Sequence, residues 1–169
     1  MATLMLLRHA KSSRVQPNIP DIDRPLNNRG RGASQKMAQF MAEQGLTADL
    51  VLCSSARRAR ETLDQLSLVL IGEPILLFDS AFYRADACAL LYGLRAVTKD
   101  VERILLIGHN PSISDLASML VNGGAKEGIN SMTRKVPTAA LAIFSLSISW
   151  SDVGPACVTL DLFVTPRDF

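Results

Sequence analysis

The chain holds only two histidines, and each closes a short apolar run: Leu6-Leu7-Arg8-His9 and Leu106-Ile107-Gly108-His109. Imidazole is the side chain best suited to act as a neutral nucleophile or proton carrier near neutral pH. Apolar runs of this length read as strands, and open α/β sheets bind ligands beyond the carboxyl ends of their strands. Two neighbouring strands would therefore hold both imidazoles in one crevice. A single histidine at such a place is as often a satisfied turn residue as a functional one. The shared position of the two favours a site.

Arginine adds to this. Arg8 precedes His9, and Arg58 falls in the first turn after the second apolar run. A guanidinium fork matches phosphate oxygens two at a time. Helices starting near Ser55 and Asn110 would aim free N–H groups at the same edge, which favours an anion there. Arg57 and Arg60 flank Arg58, but helix geometry points the three apart, and Arg58 is the one assigned to the pocket. Lys11, Arg14 and Arg24 could ring its mouth and attract acidic partners, although basic loop residues are most often simply solvated.

Competing chemistries fail on spacing. The stretch from Cys53 is similar to a cysteine phosphatase loop, which needs an arginine six positions on, where Ala59 stands. Gly123-Gly124 lacks the preceding glycine of a nucleotide P-loop, and no carboxylate cluster suggests a magnesium-dependent phosphatase. No metal or cofactor is expected. Cys53, Cys88 and Cys157 have neither disulfide nor zinc spacing and read as buried, reduced thiols.

The elements that must position these groups alternate between short apolar runs and helical periods, the pattern of an α/β protein. We expect a three-layer α/β/α sandwich with a mostly parallel sheet of about six strands, at 3–7, 50–53, 75–78, 103–107, 139–145 and 157–164. Ala33, Met37, Phe40 and Met41 share one helix face, with Asn27 or Asn28 as cap and Gly45 as stop. Ala59, Leu63, Leu66 and Leu70 mark a second helix capped by Ser54 or Ser55, and 85–96 a third. A fourth starts with Asn110 as cap and Pro111 in first position, and ends in a loop at Gly123-Gly124. The segments 12–27 and 147–155 read as loop and turn.

At 169 residues, 48 % apolar and 20 % charged, the chain suits one globular domain spanning 1–169. A net charge of +2 without basic runs argues against nucleic acid. The short apolar N-terminus fits neither a leader nor a membrane span, so a cytoplasmic monomer is expected.

The residues quoted above resemble the histidine phosphatase superfamily, whose phosphoglycerate mutase relatives carry an Arg-His-Gly signature at the first strand. Here the signature reads Leu7-Arg8-His9-Ala10-Lys11-Ser12. With Asp23-Arg24-Pro25-Leu26, Arg29-Gly30, Arg58-Ala59-Arg60-Glu61-Thr62 and Gly108-His109-Asn110-Pro111, it resembles the short SixA-type branch, the phosphohistidine phosphatases. The resemblance implies that His9 is the nucleophile and is transiently phosphorylated, and that Arg8, Arg58 and His109 complete the phosphate pocket. Larger members use a glutamate after the third strand as proton donor. No glutamate lies in 78–85, which leaves Asp79, Asp21 and Asp23 as candidates, each also readable as a turn or helix-start aspartate. A phosphohistidine substrate would need that acid less. The alternatives are a phosphatase for a small phosphorylated metabolite and a binding module that kept the pocket without turnover. A mutase is disfavoured because the chain lacks room for the enclosing insertions.

Overall fold

A computed structural model describes residues 1–67, 70, 72–98 and 101–169. Seven strands form one sheet: β1 (Ala2–Arg8), β2 (Leu50–Ser54), β3 (Ile75–Asp79), β4 (Arg103–Gly108), β5 (Val121–Gly124), β6 (Leu141–Leu146) and β7 (Val158–Val164), in the order β3-β2-β4-β1-β6-β7-β5. The half from β3 to β1 is entirely parallel, whereas β6 runs antiparallel to both β1 and β7. Among the described residues lie five α-helices, α1 (Asn28–Glu43), α2 (Arg57–Ser67), α3 (Ala87–Arg95), α4 (Ser112–Leu120) and α5 (Lys126–Arg134), besides three short 3-10 turns.

Alternation along the parallel strands builds the layers. Leu4, Leu6, Leu50, Leu52, Ile104 and Leu106 pack on one face with Leu90, Leu94, Leu116 and Leu120 of α3 and α4. Met5, Leu7, Val51, Cys53, Leu105 and Ile107 pack on the other with Met37, Met41, Leu63 and Leu66 of α1 and α2. The strands are thus apolar on both faces, as a covered parallel sheet requires.

Several expectations need correction. The seventh strand, β5, occupies the glycine pair read as loop: Gly124 has φ 130, and a Cβ there would stand 2.3 Å from the Leu160 carbonyl oxygen of β7. A residue with a side chain cannot approach that closely, so the glycine that looked like punctuation permits a strand pairing. Helix α5 went unread because its mostly polar stretch buries only Met132. The sixth strand begins at Leu141, because Ala139 takes a left-handed φ of 60 and turns its N–H onto the Arg8 and His9 carbonyls. Asn110 does not cap α4; its amide donates to the Val136 carbonyl at 3.0 Å, and Pro111 stands at the cap. Cys88 is exposed, whereas Cys53 is buried. The apolar run of β3 lies at the sheet edge with Ile75 to Phe78 all exposed. No described helix is long and apolar enough to cross a membrane.

Candidate functional site

Strand order brings the histidines together. β1 and β4 are adjacent and parallel, with Arg8 opposite Gly108, so the next residue of each strand is a histidine at the same edge. The ring centroids lie 4.8 Å apart, and both side chains are buried. β2 flanks β4 on the other side, and α2 follows it after a two-residue turn, which delivers Ser54 and Arg58 to the same place.

His9 is bonded at both ring nitrogens and His109 at one. His9 Nδ1 lies 2.7 Å from the carbonyl oxygen of Ala10, an acceptor only, so Nδ1 carries the hydrogen and Nε2 keeps its lone pair. Arg58 Nε donates to that Nε2 at 3.3 Å. Burial, followed by the nearby His109 and the charges of Arg58 and Arg8, pushes the His9 pKa down to about 3, against a carbonyl hydrogen bond that raises it. His109 Nε2 lies 2.7 Å from Ser54 Oγ. That hydroxyl also accepts from the Ala56 N–H at 3.3 Å, and Nδ1 is the His109 ring nitrogen without a partner among the described residues. Burial, then the Arg58 charge, pushes His109 down to about 4.

Arg58 is 6 % exposed and anchored on three sides. Besides His9, its Nη1 donates to the Asp21 carbonyl at 2.7 Å and its Nη2 to Asp21 Oδ2 at 3.1 Å. Arg8 Nη1 donates to the Val136 carbonyl at 2.8 Å. Three buried nitrogens, Arg8 Nε, Arg24 Nε and His109 Nδ1, have no partner among the described residues. An unpaired buried donor costs about 1–3 kcal/mol, which an anion accepting from it would offset.

The rest of the signature is scaffolding. Thr62 Oγ1 accepts from the Ala10 N–H at 3.0 Å and donates to the Arg58 carbonyl, while Glu61 accepts from the Leu26 N–H at 2.7 Å. A Cβ on Gly30 would stand 2.0 Å from the Lys11 carbonyl oxygen, so this glycine lets α1 abut the loop after His9. Around these residues lies a cleft of about 630 Å³, lined also by Ser12, Ser13, Asn27, Asn110 and Thr138, with Lys11, Arg14, Arg24 and Arg29 among its walls.

The structure brings together Arg8, His9, Arg58 and His109, the four residues singled out from sequence. A family model described as histidine phosphatase superfamily (branch 1) matches residues 4–76. An uncharacterized protein of Mycobacterium tuberculosis is 32 % identical over 163 residues, covering 95 % of this chain and 100 % of that relative. This chain belongs to the histidine phosphatase superfamily. A structure from Nakamurella multipartitia assigned as a SixA phosphohistidine phosphatase superposes with TM-score 0.86 at 25 % identity, covering 98 % of this chain and 96 % of that one. One from Agrobacterium tumefaciens with the same assignment gives 0.81 at 25 % identity, covering 98 % and 99 %.

Within this superfamily member the acid candidates fare differently. Asp21 accepts from Tyr83 Oη at 2.6 Å and pairs with Arg24 at 2.8 Å as well as with Arg58. The Tyr83 hydroxyl, then the charges of Arg58 and Arg24, hold its pKa down to about 2 against partial desolvation, so it is built as an anion. Asp79 caps a short turn by accepting from the Ala81 N–H. Asp23 sits in the exposed 3-10 turn Asp21–Asp23. No carboxyl group is among the described residues lining the cleft. Burial pushes the Cys53 thiol up to about 12, which leaves no thiolate for a cysteine mechanism. Of the arginine trio, Arg57 pairs with Glu61 and Arg60 covers Phe78, both away from the cleft. Sequence reasoning missed Tyr83, whose ring stands edge-on to His109 at 5.7 Å; a phenol in 78–85 carries no signal of its own beside the carboxyl groups expected there. Ser54 was read only as a helix cap.

Proposed function

We propose that this phosphatase hydrolyses phosphohistidine borne on a protein, through a phosphorylated His9. The observation that carries the reading is the pinned tautomer: Nδ1–H is spent on the Ala10 carbonyl, and Nε2 keeps its lone pair among Arg8, Arg58 and His109. A histidine whose pKa is about 3 is an available nucleophile at neutral pH.

The phosphoryl group takes the place of the weak Arg58–His9 hydrogen bond. His9 Nε2 then forms the N–P bond as the substrate's own P–N bond breaks. Charge on the equatorial oxygens is met by Arg8 Nε, the Arg58 fork and His109 Nδ1, without a metal. The leaving imidazole keeps the electron pair of the broken bond and departs neutral, its other ring nitrogen having taken a proton from solvent. Water next attacks the phosphorus of phospho-His9, the N–P bond breaks, and orthophosphate and free His9 result.

The absence of a carboxyl group from the described cleft lining favours this substrate over alkyl esters, whose alkoxide must be protonated as it leaves. The decisive experiment compares phosphate release from a phosphohistidine-bearing protein with release from a panel of small phosphomonoesters. A preference in kcat/KM of at least about a hundredfold for the former is expected, with His9→Ala reducing turnover by roughly a thousandfold or more and abolishing acid-labile labelling. Preference for one monoester would replace the substrate reading with a metabolite phosphatase. Full activity of His9→Ala would overturn the covalent scheme.

A further inference from the structure

Beyond the cleft the same face opens into a second, larger groove of about 1300 Å³. The two share Arg8, Lys11, Arg29 and Thr138, so an occupant of the groove leads directly into the phosphate pocket. Four separate segments build it: the end of β1 with the loop after it, α1, the end of α5 with the residues after it, and the end of β7 with the chain beyond.

Its charge is one-sided. Lys11, Arg29, Lys36, Arg134, Lys135 and Arg167 line it and are all exposed. The single carboxylate, Asp168, accepts from the Thr165 N–H and hydroxyl within its own turn. None of the six cations pairs with a carboxylate side chain among the described residues; Lys36 donates to the main-chain oxygen of Phe169. With Arg8, seven cations face one carboxylate, so an excess of six positive charges gathers in one groove of a chain whose formal net charge is +2. Between the cations Ala33, Pro137, Phe163, Val164 and Pro166 supply apolar surface, interrupted by the hydroxyl side chains of Ser131, Thr138 and Thr165.

We propose that this groove binds an acidic polypeptide segment of the phosphorylated partner and so selects protein substrates. The proposal deepens the phosphohistidine reading and depends on it only for what enters the cleft. An extended chain sends successive side chains to opposite sides, so carboxylates can meet the basic rim while alternate apolar residues meet the lining. The groove exceeds the roughly 300–1,000 Å³ usual for a small-molecule site. Single-stranded nucleic acid would need several aromatic platforms, and Phe163 is the one aromatic residue present. A flat bilayer does not enter a concavity.

The test measures anisotropy of a fluorescein-labelled synthetic peptide of alternating glutamate and leucine, binding to the full chain at low salt. The Arg134→Glu/Lys135→Glu double variant should bind it at least about tenfold more weakly, and added salt should weaken the wild type. Lys126→Glu and Arg60→Glu, which lie outside the groove, should bind as the wild type does. Turnover of para-nitrophenyl phosphate should be unchanged in the double variant. If that turnover is lost, Arg167→Glu and Arg134→Ala replace the double variant and should show the same selective loss. Equal binding by wild type and groove variants, or no binding, overturns the proposal. Tighter binding of a single-stranded oligonucleotide or of phosphatidylserine vesicles through the same residues overturns it in favour of that partner. Peptide binding is read without catalysis, so failure of the phosphohistidine reading would appear only in the phosphate-release comparison.

Discussion

Two cation-rich regions adjoin on this molecule and hold their charge in opposite ways. In the cleft, Arg58 is 6 % exposed and wired to His9, Asp21 and the Asp21 carbonyl, while Arg8 is tied to the Val136 carbonyl. In the groove, Arg134, Lys135 and Arg167 stand in solvent without a carboxylate partner among the described residues. The comparison separates two uses of one charge. A buried, pre-positioned donor costs no reorganisation when charge develops beside it, so it suits a transition state. An exposed cation loses that advantage to screening and to its own freedom, and suits capture and orientation of a large anionic partner.

The sharpest way to break this comparison is at Arg58. Arg58→Ala should lower kcat by roughly a hundredfold or more, measured on an aryl phosphate, and Arg58→Lys should recover only part, because an ammonium lacks the planar fork. An Arg58→Ala variant that loses no more than Arg134→Ala would erase the distinction between fixed and exposed cations. A smaller effect is expected from the residues that hold Arg58. Asp21→Asn keeps the size and removes the charge, so kcat should fall by about three- to tenfold as the guanidinium loses its orientation. An acid essential to proton transfer would instead cost orders of magnitude and reshape the pH profile.

The smallest expected effect is on stability against pH. The folded state holds His9 at about 3 and His109 at about 4, below the ordinary value of 6.5. Between these limits the unfolded chain binds more protons than the folded one. The contribution is therefore fully present above pH 6.5 and is lost as the pH falls toward 4 and then 3. Asp21, held at about 2, adds a loss of the same sign below its ordinary 3.8. Denaturant midpoints measured over this range should decline with acidification, less steeply in His9→Gln, whereas Arg134→Ala should track the wild type. A midpoint independent of pH below 6.5 would mean that the histidines are not held neutral by burial.

Much of the fold was legible because its signals are local. Six of the seven strands follow apolar runs, and Asn27 accepts from the Gly30 N–H as a cap should. What escaped reading lacked a local signal. β5 contains two glycines and only one apolar residue, and it exists because Leu160 of β7 lies beside it. β3 is as apolar as a central strand, but nothing in Ile75-Leu76-Leu77-Phe78 says that no further strand pairs beyond it. At the site, His9, His109, Arg8 and Arg58 were legible from residue type and strand-end position. Tyr83 and Ser54 were not, since a phenol and a hydroxyl become part of a site only through what they face.

The sequence by itself determined which chemical groups stand at the carboxyl ends of β1 and β4 and that a covered parallel sheet must carry them, because hydrophobic period and strand-end position are properties of neighbours in the chain. Tertiary structure alone decided which nitrogen of each histidine is left for chemistry. It likewise decided that Asp21 is an anion holding Arg58, and that cations from α1, α5 and the chain after β7 share one groove. Most of those outcomes depend on hydrogen bonds and burial between separate segments, such as His109 with Ser54 and Asp21 with Arg58 and Tyr83, which no local pattern encodes.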